Sequence, residues 1–191
     1  MKKIVALFCL LFLSVYTFSQ EKQEKEYRIK PEEAPKTAVD FVTSNNFKKR
    51  VKWFAEESND GKTFEAKVCH NKNLYSIEFS EEGTLLDIEK KVDFDEVTEV
   101  AQNNIKNYLK ENYLKYKFKK TQIQYKGIPN ELMRVFDAKN RNTIKAKIAY
   151  ELIVSAKNDD GFKRYEMLFD ENGNHIKTLP IAPTFSLNLE F

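Results

Sequence analysis

Phe64-Glu65-Ala66-Lys67-Val68 is followed 86 residues later by Tyr150-Glu151-Leu152-Ile153-Val154, which keeps the aromatic residue, the glutamate and the valine at one spacing. A second pattern, Tyr75-x-x-x-Phe79-x-x-x-Gly83, recurs at an offset of 90 as Tyr165-x-x-x-Phe169-x-x-x-Gly173. The change of offset places about four extra residues in one hairpin, where insertions cost little free energy. The recurrence predicts a duplicated structural unit.

The spacing of apolar residues predicts the same order of elements in each unit. Ala38, Phe41 and Val42 lie at helical spacing, and so do the apolar residues between Val97 and Tyr113. Alternating apolar residues separated by Gly and Asn turns follow each helix and predict short antiparallel strands. We therefore expect an α+β fold in which two helix-plus-antiparallel-meander repeats form a sheet with the helices packed on one face.

The predicted boundaries follow from these patterns and from the two ends of the chain. Residues 20–34 are charged and lack apolar periodicity, which is typical of a mobile leader or tether. The first repeat is expected at 35–93 and the second at 94–180. The remaining residues, 181–191, form a C-terminal tail with alternating apolar residues, which predicts an edge strand or a docking peptide.

Residues 1–19 have the pattern of a secretory signal peptide. Lys2 and Lys3 precede an uncharged apolar run, and small residues stand at the −3 and −1 positions before Gln20. An uncleaved anchor helix is the alternative, but the run of about 15 residues is shorter than the roughly 20 that span a bilayer. We expect export to the periplasm or the medium and no transmembrane segment after cleavage.

Composition narrows the classes of partner. The chain carries 32 Lys and Arg against 29 Asp and Glu, and the lysines alternate with glutamates along the sequence. A nucleic-acid-binding protein would show a clustered basic excess, so no nucleic-acid partner is expected. Cys9 lies in the predicted signal peptide, which leaves Cys69 alone and predicts no intrachain disulfide.

The order of elements, the F/Y-E-x-x-V strand and the Y-x-x-x-F-x-x-x-G hairpin together resemble the secreted bacterial PepSY-like domains, also described as beta-lactamase-inhibitor-like. The resemblance covers about residues 35–180. It implies a non-enzymatic extracytoplasmic module, for some members of which inhibitory or protein-binding roles are suspected. The chain departs from the beta-lactamase inhibitor proteins themselves in lacking their disulfides.

Five residues are candidates for contact with a partner. Glu65 and Glu151 are the charged residues shared by the two repeats, and they lie on the strand face opposite their aromatic neighbours. A solvated or cross-strand-paired carboxylate is the alternative for both. Trp53, Tyr75 and Tyr165 are candidate aromatic anchors, since Trp and Tyr are enriched at binding hot spots, with core packing as the alternative.

Neither a catalytic constellation nor a cofactor or metal site is predicted. Cys69 and His70 are adjacent in a strand and point to opposite faces, so they do not form a dyad. His175 is not equivalent to His70 between the repeats, so the two histidines predict no metal site. The segment 170–174 has the oxygen donors of a calcium loop, but its glycine is at the fourth position, which favours a hairpin turn.

The sequence thus predicts an exported, non-enzymatic module that binds an unidentified protein or peptide, with or without inhibiting it, and leaves the oligomeric state open. One alternative is a small-molecule carrier or an enzyme with a pocket between helices and sheet. Another is a sensor or structural component of the cell envelope.

Overall fold

The computed structural model of the protein describes residues 25–45, 47, 50–58, 61–137 and 144–181. The predicted signal peptide, the first part of the charged leader (20–24) and the tail from 182 to 191 lie outside the described residues. Within the described ranges, no helix combines the length and the apolar character that crossing a membrane would require.

Nine strands and three α-helices form the described part of the chain. The helices are α1 (Lys36–Ser44), α2 (Glu99–Asn112) and α3 (Pro129–Leu132), and 3-10 turns span Pro31–Glu33, Phe94–Glu96 and Met133–Phe136. The strands are β1 (Lys25–Ile29), β2 (Lys52–Ser58), β3 (Gly61–His70), β4 (Asn73–Ser80), β5 (Leu85–Val92), β6 (Lys115–Lys126), β7 (Lys147–Asn158), β8 (Gly161–Asp170) and β9 (His175–Ile181).

All nine strands belong to one sheet, whose spatial order is the order of the sequence from β1 to β9. Every neighbouring pair is antiparallel, so the prediction of an antiparallel sheet is confirmed. A 3-10 turn, an α-helix and four strands follow one another at 31–92 and again at 94–181, with α3 inserted between β6 and β7 in the second stretch.

The apolar core lies between the helices and one face of the sheet. Alternation along each strand directs every second side chain toward the helices. Ala38 and Val42 of α1 pack on strands β2 to β5, and Ala101, Ile105 and Leu109 of α2 pack on β7 and β8. The two groups form one continuous layer, because Ile123 and Ile148 contact both of them.

The segment after β6 contributes to the same layer. Leu132, Val135 and Phe136 are buried against the strands beside α1. The Phe136 ring meets the rings of Phe47 and Tyr75 edge-on, with both centroid distances at 5.0 Å. The described part of this connection, residues 128–137 and 144, therefore supplies core residues on the helix side.

Helices α1 and α2 each rest on a glycine turn of the sheet. Gly83, between β4 and β5, and Gly173, between β8 and β9, both have φ at +81°. A Cβ at Gly173 would lie 2.7 Å from the Cα of Ala101 in α2, so only glycine permits this approach. Asn104 Nδ2 of α2 donates to the carbonyl of Asn172 at 2.9 Å and closes the same contact.

Two elements differ from the sequence prediction. The charged leader is not mobile throughout, because Lys25–Ile29 forms β1 and pairs with β2 along its whole length. Tyr27 and Ile29 of β1 pack against the core, and this apolar burial outweighs the charge of the segment. The alternation of Thr121, Ile123 and Tyr125 predicts only a short strand, whereas β6 begins at Lys115, because its first half pairs with the long strand β7.

Candidate functional site

Three adjacent strands carry the same polar–isoleucine–polar triplet at the centre of the sheet. The triplets are Ser76-Ile77-Glu78 in β4, Asp87-Ile88-Glu89 in β5 and Gln122-Ile123-Gln124 in β6. The isoleucines pack toward the helices, so alternation places the six polar side chains on the opposite face. We call this the second face of the sheet; the helices of the described residues pack on the other one.

The polar residues of these triplets are unusually buried. Asp87 and Glu89 are each 3% exposed, and Ser76 and Gln122 are each 1% exposed. Carboxylates this deeply buried are rare without partners, because moving a charged group from water into the protein interior costs on the order of several kcal/mol. The centre of the second face is therefore a site that needs a chemical explanation.

Glu78, Asp87 and Glu89 form what we call the acidic cluster. One carboxylate oxygen from each lies within 4.8 Å of the others, so the three carboxylates converge on a common volume. The ladder register explains the convergence, because Glu78 lies directly opposite Asp87 and the next residue of that face in β5 is Glu89.

Amide groups from β6 satisfy part of the acidic cluster. Gln122 Nε2 donates to Glu89 Oε2 at 2.7 Å. Gln124 Nε2 lies 3.3 Å from Asp87 Oδ2 and 3.4 Å from Glu89 Oε1, and it donates to both. Lys126 Nζ is 3.5 Å from Asp87 Oδ2 and brings one positive charge to the edge of the cluster.

Three buried side-chain atoms at this site have no hydrogen-bond partner. They are Asp87 Oδ1, Gln122 Oε1 and Ser76 Oγ. Gln122 is joined to Glu89 through its amide nitrogen, and Ser76 lies opposite Glu89 in the ladder, so these two residues adjoin the acidic cluster to which Asp87 belongs. Buried polar atoms are nearly always paired in folded proteins, so three unpaired oxygens in one place mark an incomplete site.

The surroundings shift the ionisation of all three carboxyls in the same direction. Burial raises the pKa of Asp87 to about 6, although nearby Lys126 acts to lower it. Burial, followed by repulsion from Asp87 and Glu65, raises the pKa of Glu78 well above its usual range. The pKa of Glu89 is raised well above its usual range by burial and then by Glu151. The site therefore disfavours three bare negative charges.

Glu65 and Glu151 lie on the second face, on either side of the acidic cluster. Glu65 stands opposite Glu78 in the ladder, and Lys67 Nζ lies 3.1 Å from Glu65 Oε2. Glu151 stands opposite Gln122. The sequence prediction placed both glutamates on the face away from their aromatic neighbours, and the structure agrees with that placement.

The three aromatic candidates are corrected by the structure. Trp53, Tyr75 and Tyr165 are 4%, 1% and 7% exposed, and all three belong to the helix-side core. Trp53 stacks on Phe79 at a centroid distance of 6.1 Å. These residues alternate with polar residues along their strands, so their side chains point toward the helices. They are therefore core residues, and no partner can reach them in the folded protein.

The side chains of Cys69, His70 and His175 do not converge on one site. The His70 ring packs against Phe47 at 5.6 Å on the helix side, and adjacent Cys69 therefore points toward the second face. The His175 ring stacks on Tyr108 at 4.2 Å beside α2, far along the sheet from His70 in strand order. Asp170 accepts bonds from the backbone N–H groups of Asn172 and Asn174 at 2.9 and 2.8 Å, as in a hairpin turn.

The acidic cluster was missed by the sequence analysis although a signal for it exists. Asp87 and Glu89 flank an isoleucine in a strand whose apolar residues face the core, so both carboxylates must share the other face. Their burial was not predictable, since charged residues on that face are ordinarily solvated. Only the register, which places Ser76, Glu78 and the glutamines beside them, reveals the site.

The most exposed charged side chains of the second face are basic. They surround the acidic cluster on strands β1, β2, β6, β7 and β9: Arg28, Lys52, Lys115, Lys117, Lys126, Lys147 and Lys177. We call them the basic rim. By contrast, exposed positions of α2 carry both signs, as Glu99, Lys110 and Glu111 show. On the second face, solvent-exposed positive charges thus surround a buried acidic cluster.

Comparison with solved structures found similar chains. A DUF2874 family protein from Bacteroides ovatus ATCC 8483 is 13% identical with a TM-score of 0.54, and the match covers 81% of this chain and 93% of that one. A BLIP-like protein from Bacteroides fragilis NCTC 9343 is 11% identical with a TM-score of 0.47, over 78% of this chain and 86% of that one. No family model matches the chain, and no curated protein matches it. The first likeness shows a shared fold, and membership of the PepSY-like domains stays a prediction.

Proposed function

We propose that this protein is an exported, non-enzymatic binding module that recognises the acidic surface of a protein or peptide through its second sheet face. The observation that carries the proposal is the basic rim on a face that the described helices leave uncovered. Complementary charge steers association and selects partners, and basic side chains favour an acidic counterpart. Glu65 and Glu151 lie inside the rim and are expected at the same interface.

The face suits a protein partner in its dimensions and chemistry. Nine strands about 4.8 Å apart give a surface wide enough for a standard interface of about 800 Å² per partner. Its polar composition favours a partner that meets it with charged and hydrogen-bonding groups. When the partner is an enzyme, binding that covers its active site would inhibit it, and inhibition is part of the proposal.

Site-specific photocrosslinking tests the proposal. A crosslinking residue is placed at Lys52, Lys126 or Lys147 on the basic rim and, as a control, at exposed Lys110 on α2. In cells that make the protein, rim positions are expected to yield one discrete crosslinked protein, identified by mass spectrometry, and Lys110 none. The double variant K126E/K147E should weaken binding of the purified partner, and added salt should weaken the wild-type complex.

Crosslinks from Lys110 alone, or none from any position, would overturn the use of the second face. They would favour the carrier or envelope-sensor alternatives. If a partner is found, its activity with and without this protein decides whether binding is inhibitory. Crosslinks to nucleic acid instead of protein would also contradict the proposal.

Export is a separate step of the proposal and rests on the pattern of residues 1–19. N-terminal sequencing of protein recovered from outside the cytoplasm is expected to begin at Gln20. A retained Met1 in that fraction would contradict cleavage.

We also infer that the two stretches arose by duplication, because equivalent residues make equivalent pairs. Phe64 lies opposite Phe79, as Tyr150 lies opposite Phe169. Gly83 and Gly173 share one φ and lie beneath α1 and α2 respectively. An experimental structure in which these pairs fail to coincide, when β2–β5 is superposed on β6–β9, would contradict duplication.

A further inference from the structure

We propose that the acidic cluster is a binding site for a hard divalent cation of the calcium class. Glu78, Asp87 and Glu89 would supply carboxylate oxygens, and Gln122 Oε1 and Ser76 Oγ would complete the set. This inference does not depend on the partner proposed above.

Two unpaired neutral oxygens indicate a cation site independently of the three carboxylates. Gln122 Oε1 and Ser76 Oγ are buried oxygens without partners, and the Gln122 amide is fixed against Glu89 by its own hydrogen bond. An amide oxygen and a hydroxyl are neutral donors that calcium sites commonly use beside carboxylates. One bound cation would be coordinated by these two oxygens and by Asp87 Oδ1.

The geometry fits the size of the ion. Ligand oxygens on opposite sides of a calcium ion are about 4.6–5.2 Å apart, since each lies about 2.3–2.6 Å from it. The three carboxylate oxygens of the cluster lie within 4.8 Å of one another, so one ion can reach all three. Magnesium needs shorter, near-octahedral contacts and is expected to bind more weakly.

The donor chemistry and the charge select the class of ion. All the candidate ligands are oxygens, and no His or Cys among the described residues joins the cluster, so zinc is disfavoured. Three ionised carboxylates carry three negative charges, and Lys126 at the edge offsets one of them. A divalent cation balances the remaining two negative charges of the cluster.

Calorimetric titration tests the proposal directly. The purified protein is treated with a chelator, and Ca²⁺, Mg²⁺ and Zn²⁺ are added in turn near neutral pH while thermal melting is followed in parallel. Ca²⁺ is expected to bind with one-to-one stoichiometry and to raise the Tm. Its affinity should decline at acidic pH, because carboxylate ligands must be deprotonated to bind the ion.

Two isosteric variants and a matched control locate the ion. Asp87→Asn and Glu89→Gln are expected to weaken Ca²⁺ binding at least about tenfold. Glu166→Gln removes a carboxylate from the same face on β8, three strands from β5, and should leave binding unchanged. Crystals of the wild-type protein soaked in Mn²⁺ should show an anomalous signal among Glu78, Asp87 and Glu89. This measurement does not depend on whether the variants fold.

Several results would overturn the proposal. One is the absence of both binding heat and a Tm shift in the folded wild-type protein at about millimolar Ca²⁺, the weak end of protein sites. Equal affinity in wild type, Asp87→Asn and Glu89→Gln would place any bound ion elsewhere. Tight binding of Zn²⁺ with none of Ca²⁺ would contradict the assigned class of ion.

Discussion

Gln122 Nε2 donates a hydrogen bond of 2.7 Å to Glu89 Oε2 between two side chains that are almost entirely buried. The bond joins β5 to β6 on the side of the sheet that faces away from the helices. It is a charge-assisted bond whenever Glu89 is ionised, and such bonds are stronger than neutral ones. The stability of the sheet centre is therefore tied to the ionisation of its acids.

Replacing Gln122 with leucine tests this bond. The variant keeps the size of the side chain but removes the donor, which leaves a buried Glu89 oxygen without this partner. We expect a loss of about 1–3 kcal/mol in the free energy of unfolding, measured by urea denaturation. Asn107→Ala on exposed α2 is the control and should change stability by less than about 0.5 kcal/mol. Equal stability of Gln122→Leu and wild type would show that the bond contributes nothing.

The pH dependence of stability follows from the raised pKa values. Asp87 binds its proton more tightly in the folded protein, where its pKa is about 6, than in the unfolded chain at 3.8. Its contribution is therefore fully present below about pH 4 and is lost as the pH rises through about 6, with a total on the order of 3 kcal/mol. The raised pKa values of Glu78 and Glu89 extend the loss to higher pH.

The measurement compares urea midpoints of wild type and Asp87→Asn across this range in the presence of a chelator. Charged groups around Asp87 include Glu65, Glu78, Glu89 and Lys126, and they remain in both proteins. His175, whose pKa is lowered by burial, acts in the opposite direction but cancels in the difference. Asp87→Asn should lose less stability than the wild type as the pH rises from 4 to 7. If the wild type instead gained more stability than the variant over this range, the raised pKa of Asp87 would be contradicted.

Substitution of Gly173 tests how tightly α2 rests on the sheet. An alanine Cβ would meet the backbone of Ala101, 2.7 Å from its Cα, so either the turn or the helix must shift. Gly161 also has a positive φ, +109°, but nothing lies within 4 Å of its added Cβ. We expect about 1–2 kcal/mol for Gly161→Ala from backbone strain alone, and clearly more for Gly173→Ala. Equal losses in thermal denaturation would show that the contact with α2 is loose.

The fold was predictable from the sequence because its signals are local. Alternation of apolar residues around turn glycines, as at Tyr75, Phe79 and Gly83, predicts both the strands and the face that each side chain takes. The acidic cluster was not predictable by the same means. Its convergence depends on the pairing of β4, β5 and β6, and no residue pattern within one strand encodes which polar residues become neighbours. Strand β1 was missed because pairing with β2 outweighs its charged composition.

The connection after β6 gives the last prediction, since sequence analysis assigned it no structural role. Phe136 is 8% exposed, and its ring contacts Phe47, His70 and Tyr75 edge-on. Removing the ring would leave a cavity bordered by aromatic side chains. We expect Phe136→Ala to cost about 3–5 kcal/mol in the free energy of unfolding.

Phe162 supplies a control of the same residue type. It lies at the start of β8 and is 61% exposed, so Phe162→Ala should change the free energy of unfolding by less than about 1 kcal/mol. Chemical denaturation of both variants, with unchanged m values, isolates the packing effect. Similar small losses in the two variants would mean that Met133–Phe136 is only a surface connection. A large loss confined to Phe136→Ala would establish Met133–Phe136 as part of the core on the helix side of the sheet.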